Sequence, residues 1–244
     1  MTGISPGNIA RRPIYHRRMP KGVATSIIVF GRGLKADGAD FCLSEASKAR
    51  VRALVDYVEA NKPTFCRRPA RVIFSGGWGA AAAEMTAPPE EFREGSLMLK
   101  YAHALPGSEK DFSAYADSDI EIESDSTLEN VLRTKEAGYF GGISFTAANP
   151  LGIVAHAGHQ QRIEYFIRKI FRAPEDSILR ITARGADDLS GGIPEKMLFL
   201  LTRLAFIGAS SHSALRHRQS LAVMAQRAAP GRTGPFRTGQ AGRW

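Results

Sequence analysis

A run of apolar and largely β-branched residues, Val23 to Phe30, stops at Gly31-Arg32-Gly33, and the same grammar recurs along the chain. A strand that is apolar along its whole length belongs in a parallel sheet buried on both faces. Ala46, Ala49, Ala53, Leu54, Tyr57 and Val58 then recur at helical spacing, predicting a helix from near Ser44 to just before Pro63. Arg71 to Ser75 reads as a second strand running into Gly76-Gly77, and Pro88-Pro89-Glu90-Glu91 opens a helix reaching about Leu105. Residues 106–118 read as loop, Asp119 to Glu123 as a third strand, and Ser126 as the cap of a third helix ending by Gly138. Leu151 to Ala157 is a fourth strand, followed by a helix over His159 to Phe171 that carries Ile163, Phe166, Ile167 and Ile170 on one stripe. Ser177 to Ala183 is the fifth strand. Pro194 to Ile207 is the last helix, apolar nearly all round and expected to be well buried. Five strands alternating with five helices predict an α/β, Rossmann-like three-layer sandwich, a mainly parallel five-stranded sheet with helices on both faces.

Charge divides the chain. The net charge is +9 over 244 residues. Residues 1–36 hold seven Lys or Arg and no acid, residues 196–244 hold eight and no acid, and the body between them has 18 basic against 24 acidic residues. Residues 1–22, with Pro6, Gly7, Pro13, Pro20 and Gly22, read as a basic irregular arm, residues 23–209 as the α/β domain, and residues 210–244 as a basic, disordered tail. The basic ends suit weak contact with an anionic surface, whereas the acidic body argues against sequence-specific nucleic-acid binding by the core. No apolar run approaches the roughly 20 residues that cross a bilayer. Cys42 and Cys66 have neither metal-ligand nor redox spacing, which fits a reducing, cytoplasmic setting.

Right-handed crossovers bring every strand-to-helix junction to one edge of such a sheet, where ligands bind. Glu121-Ile-Glu-Ser-Asp-Ser-Thr-Leu-Glu-Asn130 is one of these junctions. Ser126 with Glu129 fits a capping box, and Glu129 can either close that box or turn towards a ligand. Ser75-Gly76-Gly77 would offer unobstructed backbone N–H groups to an anion such as phosphate, or else serve as a turn needing positive φ. Gly31-x-Gly33 is a weak echo of a dinucleotide fingerprint with no helix directly after it. His159 and Arg162, three apart at a helix start, would face the same side, one exchanging a proton and the other holding negative charge. His156 and His159 could approach a metal only with a third ligand such as Glu94, Glu123 or Glu129; no known ligand spacing supports this, and no metal is expected.

The order of these pieces resembles the YdcF/SanA/ElyC-like family of bacteria over about residues 23–207. The residues that carry the resemblance are Gly31, Arg50, Ser75-Gly76-Gly77, Glu94-Gly95 with Met98, Glu121-x-x-Ser124-x-x-Thr127-x-Glu129-Asn130, and Val154-Ala155-His156-x-x-His159-x-x-Arg162. Ala155-His156 stands where that family usually has Thr-Ser, Gly95 where it has Ala, and Ser126 where Asn is common. The resemblance implies a Rossmann-like fold, and the mix of an anion cradle with titratable groups predicts an enzyme acting on a small molecule of phosphate or nucleotide character. S-adenosylmethionine, or a role in envelope and lipid-carrier metabolism, is implied by the same resemblance. The expected catalytic groups are His159, Glu129 and Glu94. The expected ligand contacts are Gly31, Arg50, Ser75, Gly76, Gly77, Glu121, Ser124, Thr127, Asn130 and Arg162.

Overall fold

Alternate residues of the first strand belong to two different cores, which is why helices cover both faces of the sheet. The computed structural model describes residues 22–37, 40–78, 88–105, 108–185, 187 and 194–228. The strands are β1 (Ser26–Phe30), β2 (Leu34–Asp37), β3 (Asp40–Leu43), β4 (Ala70–Ser75), β5 (Ala116–Glu121), β6 (Leu151–Ala155) and β7 (Ile178–Thr182). The helices are α1 (Glu45–Ala60), α2 (Lys62–Phe65), α3 (Glu94–Ala104), α4 (Ser108–Tyr115), α5 (Thr127–Glu136), α6 (Ala157–Ile170), α7 (Glu195–Ala205) and α8 (His212–Ala228).

The main sheet has the order β5-β4-β1-β6-β7, and every neighbouring pair is parallel. Ile28 and Phe30 pack with Leu128, Val131, Leu132, Ile163 and Ile167 on the side of α5 and α6. Ile27 and Val29 pack with Val51, Leu54, Val58, Met98 and Ala102 on the side of α1 and α3. This two-residue alternation is the pleat of a strand sandwiched between helices. β1 and β6 are buried throughout, as their unbroken apolar runs require. The chain winds outward from β1 to β4 and β5, then returns to lay β6 on the other side of β1. The strand order thus reverses between β1 and β6, and the crevice at their carboxyl ends is the usual ligand position in such sheets.

The helix starts follow their predicted chemistry. Ser44 accepts from the Ser47 N–H, and Ser126 accepts from the Glu129 N–H. Gly138, at φ 71°, takes the left-handed conformation just past the end of α5.

Several boundaries differ from expectation. Leu34–Asp37 and Asp40–Leu43, read as loop, pair as an antiparallel ribbon. Residues 108–115 are helical, and the third sheet strand begins at Ala116 and ends at Glu121, displaced from the predicted Asp119 to Glu123. The cause is the edge position: Arg71 of β4 pairs with Asp117 at 3.2 Å and Asp119 at 2.8 Å, so polar residues there extend the strand without burial. The helix predicted from Glu90 starts as a short 3-10 turn, Glu90–Phe92, before α3 begins at Glu94.

Two corrections concern the C-terminal part. α7 is not well buried; within it only Glu195 is. The stretch after Ser210 is not uniformly disordered, because residues 212–228 form α8. Leu215 plugs into the core and Arg216 bridges to Glu129 and Glu136, interactions that no periodic pattern announces. Residues 1–21 of the expected arm and 229–244 of the tail lie outside the described residues.

Candidate functional site

The site is built around Arg50, which projects from α1 beneath the carboxyl ends of β1 and β6 and has no solvent exposure. A guanidinium has five N–H donors, and all five are used. Nη1 donates to the carbonyls of Phe30 and Gly31, both at 2.9 Å. Nε donates to His156 Nδ1 at 3.1 Å, and Nη2 to His159 Nδ1 at 3.3 Å and Asp187 Oδ1 at 3.4 Å. Burial and the neighbouring Arg32 lower its pKa to about 10, which leaves it charged at neutral pH.

Both imidazoles therefore present an acceptor at Nδ1. For His159 the proton then sits on Nε2, which lies 3.0 Å from Thr127 Oγ1. Burial, and next the cations Arg162, Arg50 and Arg32, hold the His159 pKa well below its ordinary value. Near pH 7 this histidine is neutral with both ring nitrogens engaged. In this form it orients Thr127 and braces Arg50.

The same burial makes stability pH-dependent. With its folded pKa depressed, His159 contributes stability that is present above the unfolded value of about 6.5 and is lost as pH falls towards the folded pKa. Wild type should lose about 1.4 kcal/mol per pH unit more than His159→Gln over that acidic window. Urea melts of the two proteins across mildly acidic pH check this; parallel stability curves would remove His159 as the buried neutral group.

Glu94, buried at the start of α3, closes the other wall. Its Oε1 accepts from the N–H groups of Arg32 and Gly33 and from Ser47 Oγ, all at 2.5 Å. Its Oε2 lies where a side chain at Gly31 or Gly76 would sit, so both glycines are set by the close approach of this carboxylate. Glu94 thereby shapes the loop that carries Arg32. Arg32 Nε meets Asp187 at 2.8 Å and its Nη2 meets Glu195 at 3.0 Å; Arg162 Nη2 meets the same Glu195 oxygen at 3.2 Å. Arg32, Arg162 and Asp187 are the members partly open to solvent, with 13%, 18% and 17% side-chain exposure. Among the described residues, buried Arg162 Nε, Asp187 Oδ2 and Glu195 Oε2 have no hydrogen-bond partner. One donor and two acceptors thus remain around this rim.

The other predicted residues make no hydrogen bond to the side chains of this network, although Gly76 packs against Glu94. Gly76 and Gly77 do not form an anion cradle, because their N–H groups donate to the carbonyls of Glu121 and Ser124. Neither has the positive φ of the turn reading; what they permit is close packing. Ser75 Oγ donates to Glu121 Oε2 at 2.7 Å, while Glu121 Oε1 accepts from the N–H groups of Glu123 and Ser124, so Glu121 ties down the end of β5. Ser124 is buried in this turn and Asn130 within α5. Glu129 neither faces the network nor has a side chain that closes the capping box. It pairs with Arg133 at 3.3 Å and with Arg216 at 3.1 Å. Arg216 lies on α8, within the stretch expected to be tail, so this partner of Glu129 is not visible in the sequence.

Thus Gly31, Arg50, Glu94, Thr127, His159 and Arg162 come together at this edge of the sheet. Arg32, Ser47, Asp187 and Glu195 were missed. Ser47 lies three residues before Arg50 on the same helix face, and Arg32 sits between two glycines at a strand end, both usable signals. Asp187 and Glu195 follow the fifth strand and could be assigned only from topology. Among the described residues no group of three or more His, Cys, Asp and Glu could hold a metal ion. A cleft of about 490 Å³ lined by Ser96, Leu99, Lys100, His103, Ala104 and Ile120 includes none of the network residues.

Fold and site define a Rossmann-like α/β protein with a buried arginine–histidine–carboxylate network at the reversal point of its sheet. No family model, curated protein or solved structure matches the chain.

Proposed function

We propose that this chain is a YdcF-like protein that binds, and acts on, a phosphorylated or nucleotide-like small molecule at the carboxyl edge of the sheet. The observation that carries the reading is the set of buried atoms that have no hydrogen-bond partner among the described residues, Arg162 Nε, Asp187 Oδ2 and Glu195 Oε2, beside Arg32. A guanidinium donor suits a phosphate oxygen, and carboxylate acceptors suit hydroxyl groups such as those of a ribose. A ligand carrying both kinds of group would satisfy all three atoms. Arg50, Glu94, His156 and His159 hold this rim in place from below, as a rigid supporting shell. The free thiols of Cys42 and Cys66 support the cytoplasmic setting included in the proposal.

Calorimetry and turnover assays against a panel of phosphate esters and nucleotide derivatives test the reading. At least one compound should bind saturably, and Arg162→Met should weaken it about 10–100-fold, the worth of one charge-assisted hydrogen bond. A panel without any saturable binder, or one whose binding ignores Arg162→Met, overturns it.

A second reading, binding without chemistry of an adenosyl or other nucleotide ligand such as S-adenosylmethionine, is favoured by one observation. His159, Glu129 and Glu94, the expected catalytic groups, are all engaged within the protein. Saturable binding with no turnover across the panel would select it.

A further inference from the structure

Met197, Leu200, Leu201 and Leu204 of α7 recur at i, i+3, i+4 and i+7, the spacing of a buried stripe, yet each is at least half exposed. Ile207 prolongs the row at 68% exposure, and Leu221 and Met224 of α8 are also exposed. The orientation of α7 is set by the protein itself. At about 100° per residue, Glu195 lies on the side of the helix opposite Leu204. That carboxylate is held inward by Arg32 and Arg162. Phe199 packs edge-on against Tyr165 at 6.4 Å, and Phe206 against Phe166 at 5.3 Å. Turning the stripe into the core would break all of these contacts. A contiguous apolar row of this kind on an otherwise polar surface marks an interaction site.

Charge selects the occupant. From Lys196 to the end of the chain there are eight Lys or Arg and no acid. Lys196 and Arg203, seven residues apart, line one flank of the stripe. Arg218 donates to the carbonyls of Ala205 and Ile207 and so brings a cation to its carboxyl end. A second copy docked face to face would press these cations against their counterparts. Nucleic acid offers phosphates to the cations but no apolar surface to the leucines. An anionic bilayer surface offers both, acyl chains to the stripe and headgroup phosphates to its rim. No helix among the described residues is long and apolar enough to cross a membrane.

We propose that α7, flanked by α8, is an interfacial helix that docks this protein on anionic lipid surfaces, its leucine–methionine stripe entering the headgroup region. The proposal stands independently of any ligand at the polar site. The test uses the full chain in co-sedimentation with vesicles of phosphatidylcholine alone and of equal parts phosphatidylcholine and phosphatidylglycerol. Wild type should bind the mixed vesicles about tenfold or more tightly than the neutral ones. Leu200→Ser/Leu204→Ser, at exposed positions and with unchanged Tm, should lose about tenfold or more of that binding. Lys196→Gln/Arg203→Gln should narrow the preference for phosphatidylglycerol. Equal binding to both vesicle types overturns the proposal. So does full binding by the double serine variant, which would assign the attraction to the basic ends alone. Concentration-dependent self-association of wild type that the serine variant abolishes, without vesicle binding, assigns the stripe to a second copy and equally overturns it.

Discussion

Replacing Arg50 by methionine should destabilise the protein by about 3–5 kcal/mol, the cost of breaking a buried charged network by removing one partner. Methionine fills much of the volume but donates nothing. The carbonyls of Phe30 and Gly31, Nδ1 of His156 and of His159, and Asp187 would each lose a donor in the interior. For a domain of this size the melting temperature should fall on the order of 10 °C. Arg50→Lys restores the charge but supplies three donors in place of a planar fork of five, and should recover only part of the loss. Thermal and urea denaturation of the two variants provide the measurement. A methionine variant that melts within a degree or two of wild type would show that the network does not hold the ends of β1 and β6 together.

The second large effect is expected at Gly77. A Cβ there would stand 2.3 Å from the carbonyl oxygen of Ile122 and 2.4 Å from that of Ser124. Both are backbone atoms, so Gly77→Ala must displace the turn after β5 and should cost about 1–3 kcal/mol. Gly31→Ala provides the contrast. Its Cβ would meet the carboxylate end of Glu94, a side chain that can swing aside. That substitution should cost less stability while detaching Glu94 from Arg32, Gly33 and Ser47, and so loosening the loop that carries Arg32. Denaturation curves for both variants decide the order. If Gly31→Ala proves the more damaging, Glu94 is too firmly wedged to move and the ranking fails.

The legibility of this fold follows the locality of each interaction. Ser44, Ser126 and Gly138 mark helix ends through contacts spanning three or four residues, and the structure places those ends as read. β1 and β6 announce themselves because a strand buried on both faces must be apolar along its length. β5 was misplaced because an edge strand tolerates Asp117 and Asp119 once Arg71, 46 and 48 residues distant, neutralises them. α8 was missed because Leu215 and Arg216 anchor it through distant partners. α7 has the hydrophobicity of a buried helix and the position of an exposed one. Only the outward rotation imposed by Glu195 separates the two.

What the sequence by itself determined is the alternation of strand and helix, the parallel sheet this demands, and the edge at which Gly31, Glu94, Thr127, His159 and Arg162 meet. Those features rest on periodicity, caps and the handedness of crossovers, which act over short spans or apply to every chain of this pattern. The tertiary structure alone decided which groups share a proton or a charge. It engaged both ring nitrogens of His159, gave Glu129 to Arg216, used the Gly76 and Gly77 N–H groups within the fold, and brought Asp187 and Glu195 to a rim opened by Arg32. The physical reason is that a hydrogen bond or ion pair depends on separations of a few ångströms between residues that can be more than a hundred positions apart, and no local pattern encodes that distance.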